Sequence, residues 1–156
     1  MDETYREAAL AVLRSCPDAW SGEPLAELLC LKGVPGAAER VGGTVCSGVD
    51  GAAIDKAVVA LGYDEGAWAA VDVSRFGGDG LRAVVEAIDP SAVIALDVPA
   101  AEAFASAYGA ELPEAGSATS VRGRAFVALD GFEEALADDD AKRVAWHRMK
   151  LVARRR

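Results

Sequence analysis

Apolar positions along this chain alternate between helical spacing and short continuous runs. From Thr4 to Ser15, Ala8, Leu10, Ala11, Val12 and Leu13 recur at helical intervals. Thr4 can cap that helix with Glu7 three residues on, and Cys16-Pro17 ends it. Leu25–Leu31 is a short apolar run fit for a buried strand. A helix is predicted over Asp50–Leu61, where Ile54, Val58 and Leu61 share a face and Gly62 closes the end. Ala67–Val73 reads as a second strand, Asp79–Ile88 as a helix, and Ala92–Leu96 as a third strand. Pro99 opens a helix that reaches Tyr108, and Glu111–Thr119 reads as a loop. Ala125–Leu129 is a fourth strand, beginning near Val121. Lys142–Arg154 is the last helix, entered from an Asp138 cap, with a frayed tail at Arg154–Arg156.

Short apolar strands separated by helices imply a mainly parallel sheet covered on both faces. No repeat or linker interrupts the pattern, so 1–156 reads as one domain. Ligands in such folds bind beyond the carboxyl ends of the strands. Those ends carry Gly33–Gly51, Ser74–Gly78, Asp97 and Asp130–Glu134.

Composition narrows the picture. The chain has 156 residues, 52% of them hydrophobic, and a formal net charge of −9. An acidic balance opposes non-specific attachment to nucleic acid. The charge is uneven: an acidic stretch from Asp130 to Asp140 precedes a basic one from Lys142 to Arg156. There is no apolar run long enough for a membrane span, and the first residues do not form a signal peptide, so a cytoplasmic location and no membrane partner are expected. Cys16, Cys30 and Cys46 are widely spaced, without a Cys-x-x-Cys pair. That spacing predicts buried free thiols, no metal site and no iron–sulfur cofactor.

The stretch from Leu28 to Gly51, LLCLKGVPGAAERVGGTVCSGVDG, runs from a strand through a Gly-rich loop into a helix. Pro35-Gly36, Glu39, Gly43, Gly48, Gly51 and Leu61-Gly62 fall there without a gap in the spacing Pro-Gly-x-x-Glu, Gly, Gly-x-x-Gly, then Leu-Gly. Later come IDPSAVIALDVPAAEAF and, near the end, DDDAKRVAWHRMK. In this order the segments resemble the uracil-DNA glycosylase superfamily, nearest to its family 4 type, over about residues 25–152. The resemblance implies a three-layer α/β/α sandwich around a central four-stranded parallel sheet, strand order 2-1-3-4. It also implies a uracil pocket at the strand ends; members flip the base out of the duplex and hydrolyse its glycosidic bond.

The resemblance also assigns chemistry to positions, and this chain departs at each. The family's catalytic Glu falls on Gly33, which has no side chain to orient water. Its uracil-stacking Phe falls on Cys46, which has no π-face. Its base-reading Asn falls on Ala70. Its anion-stabilising His falls near Gly131, Phe132 and Glu133, and the only histidine, His147, belongs to the last helix. The cluster cysteines of family 4 have no counterpart.

Gly33, Val34, Pro35 and Gly36 are candidates for an anion-binding turn or for a loop shape kept with the fold. Glu39 is open between a pocket carboxylate and a solvated or capping one, and Arg75 between a binding residue and a surface ion pair. Asp97 is expected to cap the helix entered through Pro99. Trp146 reads as core. Cys46 and Ala70 complete the candidate binding positions.

Three functions remain open. The favoured one is a glycosylase-fold protein without base excision, acting as a binding or assembly module in DNA metabolism, with a protein partner or weakly bound DNA. The second is an unorthodox DNA glycosylase in which Asp72, Asp97, Asp130 or Glu133 replaces the missing groups, with Asp130 and Glu133 foremost. The third is a small-ligand binder that reuses the pocket.

Overall fold

The computed structural model describes residues 3–114 and 116–154. In chain order these form α1 (Glu3–Arg14), β1 (Trp20–Gly22), β2 (Leu28–Lys32), α2 (Ala37–Arg40), α3 (Val49–Ala60), β3 (Trp68–Asp72) and α4 (Gly78–Ile88). There follow β4 (Ala92–Ala95), α5 (Val98–Tyr108), β5 (Thr119–Val121), β6 (Arg124–Ala128), α6 (Phe132–Ala135) and α7 (Asp139–Met149). Arg155 and Arg156, the end of the expected frayed tail, lie outside the described residues.

The fold is mixed α/β, and among the described residues its sheet has six strands in the order β1-β3-β2-β4-β6-β5. The expectation of four strands is corrected by two antiparallel edge strands. β1 pairs antiparallel with β3, Trp20 opposite Val71, and β5 pairs antiparallel with β6, Thr119 opposite Phe126. The inner strands β3, β2, β4 and β6 run parallel. Val121, expected to begin the fourth inner strand, instead ends β5. Arg122 and Gly123, both at positive φ (53° and 82°), turn the chain back into β6. Two consecutive left-handed residues suit a tight two-residue hairpin.

Alternation along the inner strands divides the core in two. Leu29, Leu31, Val71, Val93 and Phe126 pack with buried residues of α1, α4 and α5. Leu28, Cys30, Ala70, Ile94 and Val127 pack with those of α3, α6 and α7. Helix ends follow their local chemistry. Asp97 caps α5 by accepting from Ala100 N at 2.9 Å, and Asp138 caps α7 by accepting from Ala141 N at 3.4 Å. At the start of β6, buried Arg124 donates to Glu86 (2.8 Å), Asp89 (2.9 Å) and the Pro90 carbonyl (3.1 Å), tying the end of α4 to the sheet. Among the described residues no helix is long and apolar enough to cross a membrane.

Candidate functional site

At the carboxyl end of the central strand β2, the apolar run Leu28–Leu31 ends in a lysine. Lys32 shares the sheet face of Leu28 and Cys30, so its stem enters the core under α3 and α6. It is only 5% exposed. Its ammonium meets three carboxylates: Asp50 at 2.6 Å, Glu39 at 2.7 Å and Glu133 at 2.9 Å. Three acceptor groups match the three donors of an ammonium. Burial by itself would lower the Lys32 pKa, but the hydrogen bonds to Asp50, Glu39 and Glu133 outweigh it and hold the group above the ordinary lysine range.

Each carboxylate is placed by a helix start. Asp50 lies in the first turn of α3, 1% exposed, and its second oxygen accepts from Gly51 N at 2.9 Å. Glu39 is the third residue of the single turn of α2 and accepts from Gly36 N at 2.9 Å. Glu133, in the first turn of α6, uses its other oxygen to accept from Ala37 N at 3.3 Å. Asp50 sits at the N-terminus of the 12-residue α3, where negative charge is favourable, and Glu39 and Glu133 each accept from a backbone amide, which offsets part of the cost of gathering three acids. Fully ionised, the cluster holds two more negative charges than positive ones.

The loop after Lys32 is held by the chain's own groups from residue to residue. Asp97 accepts from Gly33 N (3.0 Å) and Val34 N (3.0 Å) while capping α5. The Pro35 carbonyl accepts from Arg40 Nη2 at 3.2 Å. Glu39 takes Gly36 N and Glu133 takes Ala37 N. The amides that would form an anion-binding turn at Gly33–Gly36 therefore already face internal carboxylates. Gly33 is set by close approach to fixed atoms, and any side chain at Gly36 would displace the Glu133 carboxylate from the cluster. A Cβ at Gly33 would lie 2.9 Å from Pro99 Cβ and 3.0 Å from Ala100 N, and one at Gly36 would overlap the Glu133 carboxylate.

The space left among Lys32, Val34, Gly36, Asp97, Phe132 and Glu133 is about 10 Å³. That is near the minimum for one water, whereas small-molecule sites run to about 300–1,000 Å³. The ammonium and its carboxylates fill the place where a strand-end pocket would open.

The other candidate positions scatter. Cys46 is buried at φ 58°, and burial pushes its thiol well above the usual range, as it does that of Cys30. Ala70 sits in mid-strand opposite Cys30, two residues short of the end of β3, and lines the core rather than the site. Arg75 is exposed and lies 3.5 Å from Asp72, a surface ion pair. Gly131 precedes α6 and bridges to Asp97. Asp130, with its side chain 83% exposed, pairs with Arg148 of α7 at 3.1 Å and takes no part in the lysine cluster. Trp146 is half-buried against the α3–α7 side of the core.

Of the candidate residues, the structure brings Glu39 and Glu133 together. Sequence reasoning missed Lys32 and Asp50. The available signals were a charged residue ending an otherwise apolar strand and an acid in the first turn after a Gly-rich loop. Glu39, Asp50 and Glu133 offer oxygens within 4.8 Å of one another, a hard-ligand set of the kind that suits Mg²⁺ or Ca²⁺. The Lys32 ammonium, in contact with all three, stands where such a cation would sit. No protein-family model matches this chain, and no curated protein matches it either.

Proposed function

We propose that this chain is a uracil-DNA glycosylase-like domain that works as a binding or assembly module and does not excise bases. The parallel inner strands, which follow the order 2-1-3-4 when counted among themselves, and the helices on both faces support the likeness in fold. The single observation that carries the functional reading is Lys32. A base flipped toward the strand ends would meet an ammonium already bonded to three carboxylates, in a space of about 10 Å³. Gly33 has no room for the glutamate of the likeness, because its Cβ position abuts Pro99 and Ala100.

The same surroundings disfavour DNA at this face. Asp72 and Asp130 are offset by Arg75 and Arg148, but the three carboxylates around Lys32 outnumber its one ammonium and Glu134 lies beside them, and phosphates are repelled by such an excess. A protein partner is the better occupant for a module of this charge.

The test is excision itself. Purified protein is incubated with uracil-, hypoxanthine- and xanthine-containing oligonucleotides beside an active glycosylase. The expected result is no cleavage above background. Excision by the wild type that falls at least tenfold in Glu133→Ala or Asp130→Ala would replace the module with the unorthodox glycosylase.

A further inference from the structure

The helix that supplies Asp50 to the cluster is apolar on more than one side. On its inner face α3 buries Ile54 and Val58 in the core. Outside, Val49 is 64% exposed and Val59 54%. Apart from buried Asp50, its only charged residues are Asp55 and Lys56, and Asp55 is held by Trp68 Nε1 at 2.7 Å. A surface helix ordinarily turns a polar face to water, and one without such a face is ordinarily covered.

Beside this helix, between α3 and α7, runs an open groove of about 290 Å³. Phe132 and Met149 are its buried parts, Ala53 and Ala57 its α3 wall, and Leu136 and Trp146 its opposite wall. Lys56 stands on one rim and Lys142 on the other. Lys150 lies 5.9 Å over the Trp146 ring. Among the described residues, Lys56, Lys142 and Lys150 make no ion pair, although the chain as a whole carries a net charge of −9. Three unpaired cations around an apolar trough are complementary to acids flanking apolar anchors.

We infer that the α3–α7 groove docks an acidic amphipathic helix of a protein partner. This rests on the reading of the chain as a binding module and gives that module a partner class. An amphipathic helix seats apolar anchors at i, i+3 or i+4 and i+7 in such a groove, while its flanking charges meet the rim. Two anchors enter between the Ala53–Ala57 wall and Trp146, and glutamates on either side reach Lys56 and Lys142. Single-stranded nucleic acid would meet the lysines and one accessible ring, Trp146, but Phe132 and Met149 are buried and the Ala53–Ala57 wall is aliphatic, so it finds no second stacking surface.

The probe is a fluorescein-labelled 16-residue helical peptide with leucines at i, i+3 and i+7 flanked by glutamates. Its twin carries lysine at every glutamate. Binding is followed by anisotropy and by tryptophan emission, to which Trp20 and Trp68 also contribute, in wild type and in a Lys56→Glu/Lys142→Glu double variant whose folding is checked by circular dichroism. Both lysines are on the surface, and Trp146→Ala serves as an independent variant.

The acidic peptide is expected to bind wild type at least tenfold more tightly than its twin. It should shift tryptophan emission in wild type but not in Trp146→Ala, and lose at least tenfold in affinity in the double variant and in Trp146→Ala. Equal binding of both peptides, binding indifferent to the charge reversal, or no binding overturns the inference. So does displacement of the peptide by a single-stranded 20-mer, which would make the groove a nucleic-acid site. Concentration-dependent dimerisation abolished by the double variant overturns it too, because the occupant would then be a second copy. Base excision by wild type would sink the module reading while leaving these peptide measurements intact, so the two failures are distinguishable.

Discussion

The ammonium of Lys32 lies 2.6 Å from the carboxylate of Asp50, and both side chains are shut off from solvent. The pair joins the end of the central strand to the first turn of α3. Glu39 and Glu133 complete the shell from α2 and α6, so one side chain ties together four elements that a strand-end pocket would otherwise separate. The strand end is filled by a charge network rather than by bulky apolar side chains. Such a network is costly to assemble and more costly to break on one side.

Lys32→Met leaves three carboxylates crowded without a cation. A loss of about 3–5 kcal/mol is expected, the range for removing one partner of a buried ion pair. Urea unfolding at pH 7 reads it as a lower midpoint with an unchanged slope. A change under 1 kcal/mol would mean the cluster is solvated in solution.

Alkaline pH should weaken the same contact. The folded Lys32 pKa is raised above its unfolded value, so its stabilisation is complete below about pH 10.4 and is lost as pH rises beyond that toward the folded value. Unfolding free energy measured from pH 8 to 11.5 should fall more steeply above pH 10.4 in wild type than in Lys32→Met. Parallel curves would show that Lys32 does not contribute.

At the other end of the sheet the sign is reversed. Burial by itself would raise the Glu86 pKa, but the Arg124 guanidinium beside it holds the carboxyl below its ordinary value. The stabilisation is present above the unfolded carboxylate pKa of about 4.3 and is lost as pH falls below it. Between pH 5 and pH 3, Glu86→Gln should lose less stability than wild type. An identical acid slope in the two proteins would refute the linkage.

Asp97→Ala strips acceptors from Gly33 N, Val34 N and Ala100 N together. Loss of a helix cap and of charge-assisted bonds to partly buried loop amides should cost about 1–3 kcal/mol. Hydrogen exchange at the Gly33 and Val34 amides should quicken more than exchange in β4. Unchanged protection at those two amides would show that Asp97 does not hold the loop.

Thiol chemistry should divide the three cysteines. Burial raises the Cys30 and Cys46 thiols and hides them, while Cys16 at the end of α1 is half-buried. Iodoacetamide at pH 8 should alkylate Cys16 in the folded protein and spare the others, as read by peptide mass spectrometry. Rapid labelling of Cys46 would place it at an open site.

By itself, the sequence determined what local periodicity and caps can decide. The helices from α3 to α5, the inner strands and the Asp97 cap follow from spacing, Gly and Pro placement and short side chains at helix starts, all within a few residues of one another. The edge strands did not: β1 and β5 are three residues each, and they are strands only because β3 and β6 lie beside them. Nor could the chain alone reveal the closed site. The partners of Lys32 lie 7, 18 and 101 residues away, and which acids converge on one ammonium is settled when β2, α3 and α6 pack. A lysine and an aspartate read as solvated in a linear chain. Their burial is decided by the tertiary structure, because only an enclosed ammonium with its full set of acceptors can be taken out of water.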